Sequence, residues 1–174
     1  MGENTTLMEK TMQDRYMVFS VGETDYAIEI VYVIEIVEML PITDVPGMPE
    51  FVTGIINLRG TIIPVMDMRA RFGYEPCEYT ERTCIIVIEN EGMQVGLVVD
   101  FVREVADIGK DMIAVPPTTG SGGSDKFVKG IGKAKGEVQL IIDCTRLLDC
   151  AEELCICGIS CIKTTASIWR RSVP

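Results

Sequence analysis

The chain contains no histidine among its 174 residues. This absence removes the commonest general base, the base of most Ser and Cys nucleophiles and the commonest metal ligand of proteins. Neither a phosphate-binding P-loop nor a GxGxxG turn occurs in the sequence. The enzyme classes that depend on these groups are disfavoured, so we expect a non-enzymatic protein with no cofactor and no bound metal.

Basic residues and long apolar runs are also scarce. Lys and Arg number 16 against 26 Asp and Glu, which gives a net charge of −10. Nucleic-acid binding needs a basic surface, so we expect none. No apolar run is long enough to cross a bilayer, which predicts no membrane insertion. The first residues lack the basic region and apolar core of a signal peptide, which favours a cytoplasmic location.

The seven cysteines do not form the pattern of a secreted protein. A disulfide framework would spread an even number through the chain, whereas four here crowd the C-terminal end: Cys150, Cys155, Cys157 and Cys161. The paired CxxC spacing of a zinc site is missing. A cytosolic metal- or redox-responsive binding protein that works through these cysteines is the alternative function.

The most informative segment is the sequence GIINLRG at residues 54–60, followed by TIIPVMD at residues 61–67. It predicts a strand, a tight turn, a second strand and the start of a helix. Asn57 and Gly60 tolerate positive φ and are assigned to the turn geometry. Arg59 at the tip could present its planar fork of donors to a partner. A solvated turn residue is the simpler alternative.

The two halves of the chain resemble each other. An offset of 76 residues places Arg59 on Lys135 within a second hairpin, and an offset of 69 places Glu35 on Glu104. We therefore expect Glu35 to pair with Arg59 across neighbouring strands. An internal duplication is the simplest explanation, with about five short strands and one short helix in each half.

Five strands leave an edge and an apolar face exposed, which closure into a small barrel would cover. The predicted fold is mainly β: two tandem five-stranded β-barrel subdomains of the SH3 or OB type, with short helices and a groove between them. The domain is expected over residues 15–154, with approximate halves 15–80 and 81–154, and exchange of strands between the halves is left open. Residues 1–14 form an N-terminal lead, and residues 155–174 form a cysteine-rich tail of unknown role.

Asp67 and Asp143 occupy equivalent places in the two halves, as the carboxylates of an aspartic-protease dyad would. The Asp-Thr-Gly loop is missing, and both residues precede segments with helix-forming composition. Capping of a helix N-terminus explains them better than acid catalysis does.

The pattern GIINLRGxIIPVxDxRxxFG at residues 54–73 resembles the CheW family of bacterial chemotaxis coupling proteins. The resemblance extends through YMVF at 16–19, YAIEI at 26–30, PEFVxG at 49–54, VGLVVDxV at 95–102 and LIID at 140–143. It covers residues 15–154, and it leaves the cysteine-rich tail without a counterpart.

Membership of this family implies a non-enzymatic adaptor that couples the cytoplasmic tips of methyl-accepting chemotaxis receptors to the regulatory domain of the histidine kinase CheA. Such a protein would be cytoplasmic and recruited to receptor arrays at the inner face of the membrane. The receptor would bind in the groove between the subdomains. By match to the family motif, the expected partner-binding residues are Ile30, Val33, Glu35, Arg59 and Val102.

Overall fold

The computed structural model describes residues 12, 14–116 and 126–148. Most of the N-terminal lead, the Gly- and Ser-rich segment 117–125 and the tail 155–174 lie outside this part of the chain.

The described residues form eleven strands, two short α-helices and two 3₁₀ turns. The strands are β1 (Arg15–Val21), β2 (Thr24–Glu29), β3 (Val33–Glu38), β4 (Val52–Leu58), β5 (Thr61–Asp67), β6 (Cys84–Asn90), β7 (Met93–Val99), β8 (Phe101–Asp107), β9 (Ile113–Ala114), β10 (Val128–Ala134) and β11 (Glu137–Ile142). The helices are α1 (Met68–Phe72) and α2 (Cys144–Leu148), and the 3₁₀ turns are Ile30–Tyr32 and Lys110–Met112.

These strands form two sheets. The first sheet has the order β3-β6-β7-β5-β4, and the second has the order β8-β1-β2-β11-β10-β9. Neighbours are antiparallel except for two parallel pairs, β5 with β7 and β11 with β2. The prediction of a mainly β protein with two small SH3-like subdomains is confirmed. The two-residue strand β9 adds a sixth member that the sequence did not predict.

Each sheet takes strands from both halves of the chain. The hairpin β1–β2 lies beside β11 in the second sheet, and the hairpin β6–β7 lies between β3 and β5 in the first. Exchanging each of β1 to β5 with its counterpart in the second half, which is β6, β7, β8, β10 and β11 in turn, converts the order of the first sheet into that of the second without β9. The structural repeat is therefore complete, and the chain crosses between the sheets at the turn Ile30–Tyr32 and again at Asp100.

Alternation along the strands sorts the apolar residues into three clusters, because successive side chains point to opposite faces. On β6, for example, Ile85 and Val87 belong to one cluster, whereas Ile86 and Ile88 belong to another. The first-barrel cluster contains Ile56, Ile63, Val65, Ile85, Val87 and Val98. The second-barrel cluster contains Tyr16, Val18, Ala27, Ala106, Ile108 and Ile141.

The central cluster joins the two sheets. Its buried members are Met17, Phe19, Val21, Tyr26, Ile28, Met66, Met68, Phe72, Ile86, Ile88, Val95, Leu97, Val99, Phe127, Val128, Ile142, Cys144, Leu147 and Leu148. Within it Phe72 of α1 stacks on Tyr26 of β2, with ring centroids 4.5 Å apart. The two sheets therefore pack against each other through one shared apolar layer.

The predicted helix after the central hairpin is confirmed. Asp67 is its N-cap, and its carboxylate accepts the Arg69 N–H at 2.8 Å. Gly73 closes the helix in the left-handed conformation with φ of 76°. Before β4, Val52 donates its N–H to the Pro49 carbonyl at 2.9 Å, which closes a single turn from which the strand begins.

Candidate partner-binding site

The turn between β4 and β5 holds Arg59 at an exposed tip. Arg59 and Gly60 both have positive φ, 50° and 86°, as the two central residues of a type I′ hairpin turn require. Asn57, which was assigned to the turn geometry because it tolerates positive φ, lies within β4 and has no positive φ; its side-chain oxygen accepts the Gly60 N–H at 2.9 Å. Asn57 therefore fixes the turn through its side chain, while Arg59 takes the left-handed conformation.

The predicted pairing of Arg59 with Glu35 is present, but the two residues do not lie on neighbouring strands of the sheet as predicted. The guanidinium donates from Nη2 to Glu35 Oε1 in a hydrogen-bonded ion pair. This hydrogen bond is the main cause that raises the pKa of Arg59. Glu35 lies on β3 and Arg59 follows β4, and these are the two outer strands of the first sheet. The pair therefore bridges the open edges of the sheet and restrains a side chain that is 70% exposed.

The second sheet repeats this arrangement with a different cation. Lys135 has φ of 51°, and its Nζ lies 2.5 Å from Glu104 Oε2. The hydrogen bond to Glu104 raises the pKa of Lys135. The two hairpin tips have the same backbone conformation, and each forms an ion pair with a glutamate. They differ in the cation, which is a planar guanidinium at Arg59 and an ammonium at Lys135.

The three predicted apolar residues all pack against the central cluster. Ile30 opens the 3₁₀ turn, Val33 begins β3 and Val102 lies near the start of β8, and each is partly buried. Val33 pairs with Ile88, and Val102 pairs with Phe19. Val33 thus shares a strand with Glu35, whereas Val102 lies on the outer strand of the other sheet.

A contact between the sheets places Val102 near the first sheet. The backbone N–H of Val102 donates a hydrogen bond to the Cys84 sulfur of β6. Burial, opposed by this hydrogen bond, raises the pKa of Cys84. Val102 therefore lies where the two subdomains meet.

Two exposed apolar residues at this surface were missed. Ile36 and Val105 follow Val33 and Val102 by three residues and are 43% and 40% exposed. Their cross-strand partners are Ile86 and Met17, both members of the central cluster. Residues that pair directly across strands point to the same face, so Ile36 and Val105 extend the margin of that cluster. The same 69-residue offset relates Ile36 to Val105 as well as Val33 to Val102, so the sequence repeat could have identified these two residues.

The two symmetric aspartates act as helix caps. Asp67 caps α1 and also accepts a hydrogen bond from the Tyr79 hydroxyl at 2.9 Å. Asp143 precedes α2 and accepts the Arg146 N–H at 3.2 Å. Each carboxylate is committed at the start of its own helix, which agrees with the capping interpretation and not with a shared-proton dyad.

Within the part of the chain that the structure describes, no group of three or more His, Cys, Asp or Glu residues could hold a metal ion. The cysteines seen there are free thiols: Cys77 is exposed, Cys84 is half-buried and Cys144 is buried. Burial raises the pKa of Cys144. The four C-terminal cysteines of the alternative function lie outside the described residues. No described helix is both long and apolar enough to span a membrane.

Two strand-exchanged barrels, one shared apolar layer and a braced arginine at a hairpin tip define a double-barrel protein-contact domain. A family model described as the CheW-like domain matches residues 15–152. The chain therefore belongs to the CheW family.

Relatives with known names agree with this assignment. The chain is 30% identical over 146 residues to the chemotaxis protein CheW of Klebsiella aerogenes, covering 84% of this chain and 88% of the relative. It is 32% identical over 136 residues to the chemotaxis protein CheW of Bacillus subtilis, covering 78% and 87%. The solved structure of the scaffolding protein TtCheW from Thermoanaerobacter tengcongensis is 39% identical, with a TM-score of 0.73 and coverage of 79% and 94%.

Proposed function

We propose that this chain is a non-enzymatic adaptor that couples the cytoplasmic tips of chemotaxis receptors to the regulatory domain of the kinase CheA. It acts in the cytoplasm and is recruited to receptor arrays at the inner face of the membrane. Membership of the CheW family supports this proposal, as does the exposed and ion-paired arginine at a hairpin tip.

The observation that carries the proposal is the guanidinium of Arg59, which is exposed at a hairpin tip and held there by Glu35. A free arginine loses much rotamer entropy when a partner immobilises it. The Glu35 contact and the hairpin turn already restrict Arg59, so less entropy remains to be lost on binding. An amphipathic helix of the receptor would bury its apolar face on Val33 and Val102, with Ile30 at the side, and place a polar group at Arg59.

The decisive experiment compares the two matched hairpin tips. Arg59→His and Lys135→His remove corresponding cations from turns whose φ values are 50° and 51°, so the backbone strain of the two variants is closely matched. Each variant is mixed with CheA and receptor-containing membranes, and the CheA that sediments with the membranes is measured. We expect Arg59→His to lose most of the co-sedimented CheA while it stays folded, and Lys135→His to retain it.

Two results would contradict the proposal at different levels. Folded wild-type protein that brings no CheA to the receptor membranes would refute the adaptor function itself. Equal assembly by Arg59→His and wild-type protein would leave the adaptor function standing and remove Arg59 from its site.

A further inference from the structure

Asp100 occupies the single residue between β7 of the first sheet and β8 of the second. Its backbone N–H donates to the Ser20 carbonyl at 3.1 Å, and its Oδ2 accepts the Gly22 N–H at 2.7 Å. Ser20 lies next to the last residue of β1, and Gly22 lies in the β1–β2 turn. Both contacts therefore fasten Asp100 to the hairpin beside which β8 begins.

The same carboxylate is held from the opposite sheet by Arg69. The guanidinium donates from Nε to Oδ1 at 2.8 Å and from Nη2 to Oδ2 at 2.6 Å. Arg69 belongs to α1, which continues directly from β5 of the first sheet. The side chains are only 20% and 26% exposed, and such two-point pairing fixes direction as well as distance.

The strand that Asp100 fastens needs support. β8 is an outer strand whose ladder partner among the described residues is β1, and its register shifts where Val18 and Phe19 face it. Val102 follows Asp100 by two residues. A movement of Asp100 would therefore change the place of Val102 relative to the first sheet.

The structural repeat shows that the barrels do not require this device. The 69-residue offset places Val31 at the position of Asp100, and the 76-residue offset places Thr145 at the position of Arg69. Val31 is 55% exposed at the other crossover. One crossover is thus fastened by an ion pair between the sheets, whereas its counterpart folds without these two residues.

We propose that Arg69 and Asp100 are positioning residues that hold the start of β8, and with it Val102, in the geometry that a receptor helix recognises. The inference rests on the proposed adaptor function. Neither residue needs to touch the receptor, since the pair acts through the placement of Val102.

The variants separate this role from general stability. Asp100→Asn keeps an oxygen that can accept the Gly22 N–H but loses the charge that pairs with Arg69, and Arg69→Gln removes the other partner. Lys129→Gln is the matched control, since Lys129 forms a partly buried ion pair with Glu29 whose strands both belong to the second sheet and neither of which is β8. It removes one charge of an ion pair without cutting a link between the sheets.

Affinity is measured separately for a soluble receptor cytoplasmic fragment and for the CheA regulatory domain. We expect Asp100→Asn and Arg69→Gln each to weaken receptor binding by roughly five- to twentyfold, as members of one hydrogen-bond network do. The double variant should be no weaker than the worse single variant. The Val102 methyl and Gly22 amide NMR signals should move in both variants and keep their wild-type positions in Lys129→Gln.

Wild-type receptor affinity in Asp100→Asn would overturn the proposal, as would an equal loss in Lys129→Gln. If the wild-type protein itself fails to bind the receptor fragment, the adaptor function is refuted. The NMR signals then test the positioning role by themselves, and a Val102 signal that does not move in Asp100→Asn or in Arg69→Gln refutes that role.

Discussion

Gln139 is the residue whose replacement should stabilise this protein. It lies on β11 with 1% of its surface exposed, and its side-chain Oε1 has no hydrogen-bond partner in the described structure. Ile141, two residues further along the same face, belongs to the second-barrel cluster. The 76-residue offset places Ile63 at the corresponding position of the first barrel, where it is also 1% exposed. At this interior position one barrel therefore carries an amide and the other an alkyl side chain.

The expected size of the effect follows from this comparison. A buried polar group without a partner costs about 1–3 kcal/mol, and burial of an isoleucine side chain contributes about 1.5–3 kcal/mol. Allowing for imperfect fit, we expect Gln139→Ile to raise the free energy of unfolding by about 1–3 kcal/mol. The reciprocal change Ile63→Gln should lower it by about 2–4 kcal/mol, since it loses apolar burial and adds an unpaired amide.

Urea unfolding at equilibrium measures both variants. The midpoint should rise for Gln139→Ile and fall for Ile63→Gln, with the slope m unchanged. A lower midpoint for Gln139→Ile at constant m would refute the reasoning, because the Gln139 amide would then be better satisfied inside the barrel than an alkyl group is.

Two further predictions concern the first sheet and its loop. Gly54→Ala should lower the free energy of unfolding by about 3 kcal/mol or more, because the new Cβ would lie 2.2 Å from the Thr43 carbonyl oxygen and the residue has φ of 150°. Gly60→Ala is the control: nothing lies within 4 Å of its new Cβ, so it should lower the free energy of unfolding by only about 1–2 kcal/mol. Calorimetry measures both variants, and equal losses would contradict this prediction. Burial first, and then the Asp67 hydrogen bond, raise the pKa of Tyr79 from 10.0 to about 12. The native state therefore holds the Tyr79 proton more tightly than the unfolded state does, so the protonated hydroxyl contributes fully to stability below pH 10 and this contribution is lost as pH rises from 10 to 12. In urea unfolding across this range, the free energy of unfolding should fall less steeply with pH in Tyr79→Phe than in the wild-type protein. An identical fall in the two proteins would contradict this prediction.

The local features of the site were accessible from the sequence. The Asn-Leu-Arg-Gly segment predicted the hairpin because turn chemistry is set by a few neighbouring residues. The repeat then predicted that Glu35 faces Arg59, because a carboxylate recurs before a basic turn residue in both halves. Glu35 and Arg59 lie together in the structure as expected.

Other parts of the site depend on contacts between distant segments. The sequence did not reveal the link between Asp100 and Arg69, because it joins a helix after one sheet to the crossover into the other. The sequence also did not show that Arg59, and not Asn57, takes a positive φ within the turn. Both residues tolerate the turn, and only the ladder of β4 decides which of them takes the positive φ.

By itself the sequence determined the family, the mainly β composition, the repeat and the braced arginine at the hairpin tip. These properties depend on periodicity and on residue types at short or regular separations, which are visible along the chain. Only the tertiary structure decided that each sheet takes a hairpin from the opposite half and that one central cluster serves both subdomains. The physical reason is that apolar strands such as β6 can pair in several sheets, and the choice among them is made by the packing of both faces at once.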